Sequence, residues 1–145
     1  MITSHGHILI VDDEKDIRES LKRHFEFLDY EVSTALNGKE ALNVLSETRI
    51  DVIITDILMP EMNGIELLGH VKYDYPMIHV IVITGYVTLS NLLDCFRRGA
   101  DTCVFKPLTE LNELEEAVEH AFSELNNWQL KLRELKTLST HKERA

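Results

Sequence analysis

Four short, nearly unbroken apolar runs recur along the chain, and each stops on a polar residue. His7-Ile8-Leu9-Ile10-Val11 ends at Asp12 and Asp13, and Asp51-Val52-Ile53-Ile54-Thr55 ends at Asp56. Ile78-His79-Val80-Ile81-Val82-Ile83 ends at Thr84 and Gly85, and Thr102-Cys103-Val104-Phe105 ends at Lys106 and Pro107. Several runs are rich in β-branched residues and lack polar alternation, as strands do when both faces of their sheet are covered. A weaker strand, Glu31 to Ala35, precedes the turn signal Asn37-Gly38.

The gaps carry helical spacing. Ile17, Leu21, Phe25 and Leu28 fall on one helix face. Ala41, Leu42 and Leu45 do the same in a shorter segment, and Ile65, Leu68 and Val71 follow Gly64. Leu89, Leu92, Leu93 and Phe96 run up to Gly99, which reads as a helix stop. A last helix is expected after Pro107, with Thr109 as its N-cap. Strand and helix thus alternate five times, which predicts a doubly wound parallel sheet with helices on both faces. Short connections make residues 1–125 one domain.

That fold class gives the polar residues meaning. In an open parallel sheet, ligands bind at the carboxyl ends of the strands. Asp12, Asp13, Asp56, Thr84 and Lys106 all stand at such ends, so the topology gathers them into one crevice. Carboxylates placed together resist joint ionisation. Mg²⁺ removes that conflict, because it takes hard oxygen ligands and keeps some of its waters. One carboxylate can then attack phosphorus, while an ammonium neutralises charge on the transferring group.

These residues occur within longer motifs: Val11-Asp12-Asp13-Glu14, Thr55-Asp56-Ile57-Leu58-Met59-Pro60-Glu61-Met62-Asn63-Gly64, Ile83-Thr84-Gly85 and Phe105-Lys106-Pro107. Their order and spacing resemble the receiver domain of bacterial response regulators, over roughly residues 7–125. The resemblance implies a flavodoxin-like sheet of order 2-1-3-4-5. It implies that Asp56 is the phosphoacceptor, and that Asp12, Asp13, Asp56 and the Leu58 carbonyl bind Mg²⁺, Asp12 through a metal-bound water. Thr84 becomes the switch hydroxyl and Lys106 the phosphate-pairing lysine, with a cis bond to Pro107. The implied donor is a sensor histidine kinase or phosphotransfer protein. One departure stands out: Cys103 occupies the place, three residues before the lysine, where the family commonly has Tyr or Phe. Tyr86 at the rim predicts slow loss of the phosphoryl group by shielding it from water.

After Pro107, and on past the end of the domain, Leu111, Leu114, Val118, Ala121, Leu125, Trp128, Leu132 and Leu135 alternate three- and four-residue steps. That is a heptad seam longer than one sheet needs. It predicts a coiled-coil extension or linker over 126–138, joining two copies as a homodimer, with a disordered polar tail at 139–145. A helix that folds back on its own domain, or frays in solution, is the competing interpretation.

Composition narrows the classes. The net charge of -10 and pI near 5.1 argue against nucleic-acid binding in this chain, which needs clustered Lys and Arg. No apolar run nears the ~20 residues of a membrane span, and the start lacks a signal-peptide pattern, so a soluble cytoplasmic protein is expected. Cys95 and Cys103 match no metal or redox motif and read as small packed residues. The histidines His5, His7, His24, His70, His79 and His120 read as structural or solvated, with His5 and His7 in a mobile start. An aspartate-based hydrolase would need a separate acid/base and a substrate cap, and neither is apparent. The expectation is a regulatory switch, not an enzyme acting on an external substrate. A receiver-like dimerisation module that takes no phosphate is the alternative.

Overall fold

The computed structural model describes residues 6–85 and 88–144, with side chains described through Ser139. The chain alternates β1 (His7–Val11), α1 (Lys15–Phe27), β2 (Glu31–Ala35), α2 (Gly38–Glu47), β3 (Val52–Asp56), α3 (Gly64–Asp74), β4 (His79–Thr84), α4 (Leu89–Arg97), β5 (Thr102–Phe105) and α5 (Asn112–Arg144). The five strands form one parallel sheet in the order β2-β1-β3-β4-β5.

The lack of polar alternation in the strands follows from this topology. Leu9, Val11, Ile53, Val80 and Val82 face one core with α2, α3 and Cys95 of α4. Their neighbours Ile8, Ile10, Ile54, Ile81 and Ile83 face the other, against Leu21 and Phe25 of α1 and Leu114, Val118, Ala121 and Leu125 of α5. The central strands β1, β3 and β4 are buried throughout, whereas the edge strands β2 and β5 are partly exposed. Each fully buried Leu, Ile or Phe adds roughly 1.5–3 kcal/mol of hydrophobic stabilisation.

Some expected boundaries shift. β3 and β4 each begin and end one residue later than the apolar runs suggest, so Asp56 and Thr84 are the last residues of their strands. Asp51, just before β3, still joins the sheet: its carboxylate accepts the His7 backbone N–H at 3.0 Å and its own N–H donates to the His7 carbonyl at 2.9 Å. Asn37-Gly38 is a helix start, with the Asn37 side chain capping α2 through Glu40 N–H. Gly38 is required there by close approach, since an added Cβ would lie 2.7 Å from Met62 Cγ. Gly99 ends α4 as expected: it has φ +92, its N–H reaches Phe96 O, and the Ala100 N–H reaches Cys95 O.

Thr109 does not cap α5. The helix starts at Asn112, and the carbonyl of Leu111 accepts its first bond, from Glu115 N–H at 2.8 Å. α5 then runs 33 residues, with helical backbone through 126–138 and into the 139–145 stretch. Its seam divides: the residues from Leu114 to Leu125 are buried, while Trp128, Leu132 and Leu135 are exposed. His7 is a buried strand residue, its Nε2 2.7 Å from Ser33 Oγ. His5 and Tyr86, with the shielding expected of the latter, lie outside the described residues.

Candidate functional site: an acidic crevice at the strand ends

The carboxyl ends of β1, β3, β4 and β5 converge on one crevice. Asp12 follows Val11 and is fully buried. Its Oδ1 accepts the Glu14 backbone N–H at 2.8 Å, a local turn that sends Asp13 and Glu14 outward to solvent. Arg18, one turn into α1, donates from Nη1 to the Asp12 carbonyl at 2.7 Å. Asp56 is buried at the end of β3, and its Oδ1 accepts the Ile57 N–H at 2.7 Å. Thr55 Oγ1 donates to the Asp56 carbonyl at 2.9 Å.

Lys106 closes the crevice from β5. Its Nζ lies 2.9 Å from Asp56 Oδ2, 3.0 Å from Asp12 Oδ2 and 3.6 Å from Glu14 Oε1. The Lys106 backbone N–H donates to the Thr84 carbonyl at 2.9 Å, so the lysine and the buried Thr84 are held side by side. The Lys106–Pro107 bond is cis.

The electrostatics follow from this packing. Burial raises the Asp12 carboxyl above its ordinary value, against the opposing pull of the Glu14 N–H and the Lys106 ammonium. For Lys106, burial disfavours the charge, but hydrogen bonds to Asp56 and then Asp12 outweigh it and hold the ammonium well above its usual range. Lys106 therefore stays charged, while Asp12 gains from any further cation.

The residues present fit such a cation. Asp12, Asp13, Glu14 and Asp56 can each bring a carboxylate oxygen within 4.8 Å of the others. This is an all-oxygen, hard donor set, two members buried and two open to solvent, as suits Mg²⁺ retaining waters. Leu58 lies in the loop after β3, its side chain half exposed.

All five residues predicted from the strand ends, Asp12, Asp13, Asp56, Thr84 and Lys106, end at this crevice. Three further contributors carried no assigned role. Glu14 belonged to a quoted motif, and its spacing could have flagged it. Arg18 acts on a backbone carbonyl, which no side-chain pattern reports. Gly64 opens α3 directly behind Asp56: an added Cβ would fall 2.0 Å from the Asp56 carbonyl oxygen. Its own N–H donates to the Ile57 carbonyl at 2.8 Å, tying α3 to the loop beyond the acceptor. At the departure from the family pattern, Cys103 packs half-buried against the core shared with α2 and α3, and Phe105 is 54% exposed.

Comparison with known proteins agrees with the geometry. The family model for the response regulator receiver domain matches residues 8–119. The regulatory protein AtoC of Escherichia coli is 35% identical over 140 residues, covering 96% of this chain and 30% of AtoC. The response regulator SaeR of Staphylococcus aureus is 38% identical over 103 residues, covering 71% of this chain and 45% of SaeR. The chain thus spans half or less of the length of these curated relatives. A CheY-like receiver domain protein from Methanospirillum hungatei superposes with a TM-score of 0.81 at 33% identity, covering 84% of this chain and 97% of that one. The response regulator TrrA of Thermotoga maritima, solved in complex with Mg²⁺-BeF, superposes with a TM-score of 0.73 at 35% identity, covering 80% of this chain and 98% of that one. With the crevice, the sheet order and the sequence match all pointing one way, the chain belongs to the response regulator receiver domain family, the regulatory domain of two-component signalling.

Proposed function

We propose that Asp56 is the residue that takes the phosphoryl group, from a sensor histidine kinase or a phosphotransfer protein. The observation that carries this is the bridging of Asp12 and Asp56 by Lys106 Nζ within a four-carboxylate crevice. A carboxylate oxygen of Asp56 forms the new O–P bond as the P–N bond to the donor's histidine breaks, its electron pair returning to the imidazole. The Ile57 N–H fixes the Asp56 carboxylate, so the nucleophile is oriented before the donor arrives. Asp12, Asp13, Asp56 and the Leu58 carbonyl would hold Mg²⁺, which when bound would neutralise charge at the phosphoryl oxygens. Lys106 then exchanges a carboxylate partner for a phosphoryl oxygen, and the Thr84 hydroxyl donates to another. The relative that carries Mg²⁺-BeF supports the same ligand chemistry here.

The proposal extends to assembly. Trp128, Leu132 and Leu135 continue the buried seam of α5 into solvent, and a second copy of the same helix covers such a stripe in a coiled coil. The division is therefore a receiver domain over 1–125 and a helical stem beyond it, in a cytoplasmic homodimer.

Intact mass after incubation with a small phosphodonor and Mg²⁺, run beside Asp56→Asn, tests the chemistry. One phosphoryl group on the parent, lost without Mg²⁺ and lost in the variant, is the expected result. An unmodified parent under both a small donor and a kinase would leave only a dimerisation module.

A further inference from the structure

At the opposite end of β4 from Thr84, a second cluster gathers residues that the phosphorylation chemistry does not use. His79, the first residue of β4, is 8% exposed. Its Nε2 lies 2.9 Å from Glu124 Oε2 of α5 and 3.7 Å from Asp101 Oδ1, just before β5. Both carboxylates are held in this orientation from behind. Asp101 Oδ2 accepts the Val80 N–H at 2.7 Å and Lys72 Nζ at 3.1 Å, which leaves Oδ1 for the histidine. Glu124 Oε1 is engaged by His120 Nε2 at 2.8 Å, one helical turn earlier. The other nitrogen of the buried ring, His79 Nδ1, has no hydrogen-bond partner among the described residues. One imidazole nitrogen, with one proton to offer, thus faces two anionic oxygens.

We propose that His79, Asp101 and Glu124, with His120 beside them, form a binding site for a borderline divalent cation such as Zn²⁺. Imidazole with carboxylate favours Zn²⁺ or Ni²⁺, whereas Mg²⁺ takes oxygen sets like the one at the other end of the sheet. The three donor atoms lie within 4.8 Å of one another. Tetrahedral Zn²⁺ at its usual bond lengths needs donors ~3.4 Å apart, and the separations of 2.9 and 3.7 Å straddle that value. Lys72 and the Val80 N–H on Asp101, and His120 on Glu124, act as the outer partners that orient metal ligands. β4 places the site ~16 Å from the phosphorylation crevice, at ~3.3 Å per residue. A bound cation ties the starts of β4 and β5 to α5 immediately before Trp128, the root of the exposed stem.

Trp128, the single tryptophan, lies four residues after Glu124, ~6 Å along the helix, and reports on the site. The test uses the full chain, freed of metal by chelator, with Zn²⁺ or Ni²⁺ as the probe. The expected result is one Zn²⁺ retained per chain on equilibrium dialysis in excess Mg²⁺, which keeps the acidic crevice occupied, and saturable quenching of Trp128 by Ni²⁺ that Zn²⁺ reverses and excess Mg²⁺ does not. Glu124→Gln, at a half-exposed helix position that should leave folding intact, and His79→Gln should each weaken binding by about tenfold or more. Asp13→Asn should leave it unchanged. Absence of retained metal, affinity undiminished in Glu124→Gln, or loss of binding in Asp13→Asn would each overturn the proposal.

Discussion

Replacing Lys106 with methionine asks whether charge holds the crevice together. The substitution keeps the aliphatic stem and deletes the ammonium. In the parent, Nζ contacts Asp12 at 3.0 Å and Asp56 at 2.9 Å, and the three side chains are 12%, 0% and 8% exposed. At such burial the pairing is not screened as a surface pair is. Removing one partner of a buried pair costs about 3–5 kcal/mol. Asp13 and Glu14 open one side of the crevice to water, which points to the lower end, about 3 kcal/mol. With a urea slope of about 2 kcal/mol per molar, the midpoint should fall by ~1.5 M near neutral pH. The sign of the pH dependence follows from Asp12, whose carboxyl is already raised by burial and is pulled down partly by Lys106. Without the ammonium it rises further. A carboxyl raised in the folded state contributes stability that is present at low pH and lost as pH rises through its folded value. The deficit of the variant should therefore shrink on acidification, and Mg²⁺ at neutral pH should recover part of it by replacing the missing cation. Urea unfolding followed by circular dichroism, at neutral and mildly acid pH with and without Mg²⁺, measures all of this. A deficit indifferent to both pH and Mg²⁺ would mean that the stem packs and the charge does not matter.

Gly64→Ala should cost about 1–3 kcal/mol, because its Cβ and the Asp56 carbonyl must separate by more than an ångström. It should also slow phosphoryl uptake, and uptake at the parental rate on mass analysis would argue that α3 does not set the acceptor's position. The Cys103 thiol is pushed up to about 11 by burial, so only roughly one molecule in ten thousand carries the thiolate at neutral pH. Iodoacetamide should label it slowly there and faster as pH rises, and rapid neutral labelling would contradict the burial. Leu132→Glu, at an exposed seam position, should shift sedimentation toward the monomer while leaving monomer stability within about 0.5 kcal/mol of the parent. An unchanged dimer would place the interface elsewhere.

The sheet was legible because its strands had to be apolar on both faces, and the run ends located the crevice because a parallel sheet gathers its strand termini. What stayed hidden involves the backbone or long-range partners. Arg18 works on the Asp12 carbonyl, and Gly64 is required by an approach from β3 that no local spacing encodes. The expected start of α5 falls too early because Thr109 is a favoured capping residue, yet the segment after Pro107 bends at Thr109 and turns helical only at Asn112. His79 read as a packed strand residue, and burial alone agrees. Its two carboxylate partners come from a position 22 residues away and another 45 residues away, by subtraction from 79 to 101 and 124, so no motif could announce them.

The two ends of the sheet act on the same helix. Lys106 stands at the end of β5 and pairs with both buried aspartates, and only residues 107–111 separate it from α5. Any change of charge at Asp56 therefore acts on a side chain anchored at the base of that helix. Leu114, Val118, Ala121 and Leu125 bind the helix to β4 and β5 through one continuous core, so a shift at its start reaches Leu125 as a rigid-body movement more readily than as local bending. At that point Glu124 meets His79, and one turn later Trp128 begins the exposed stripe. A phosphoryl group at one end and the His79–Glu124 contact at the other thus bear on a single lever, and the stem is the part of it free to respond.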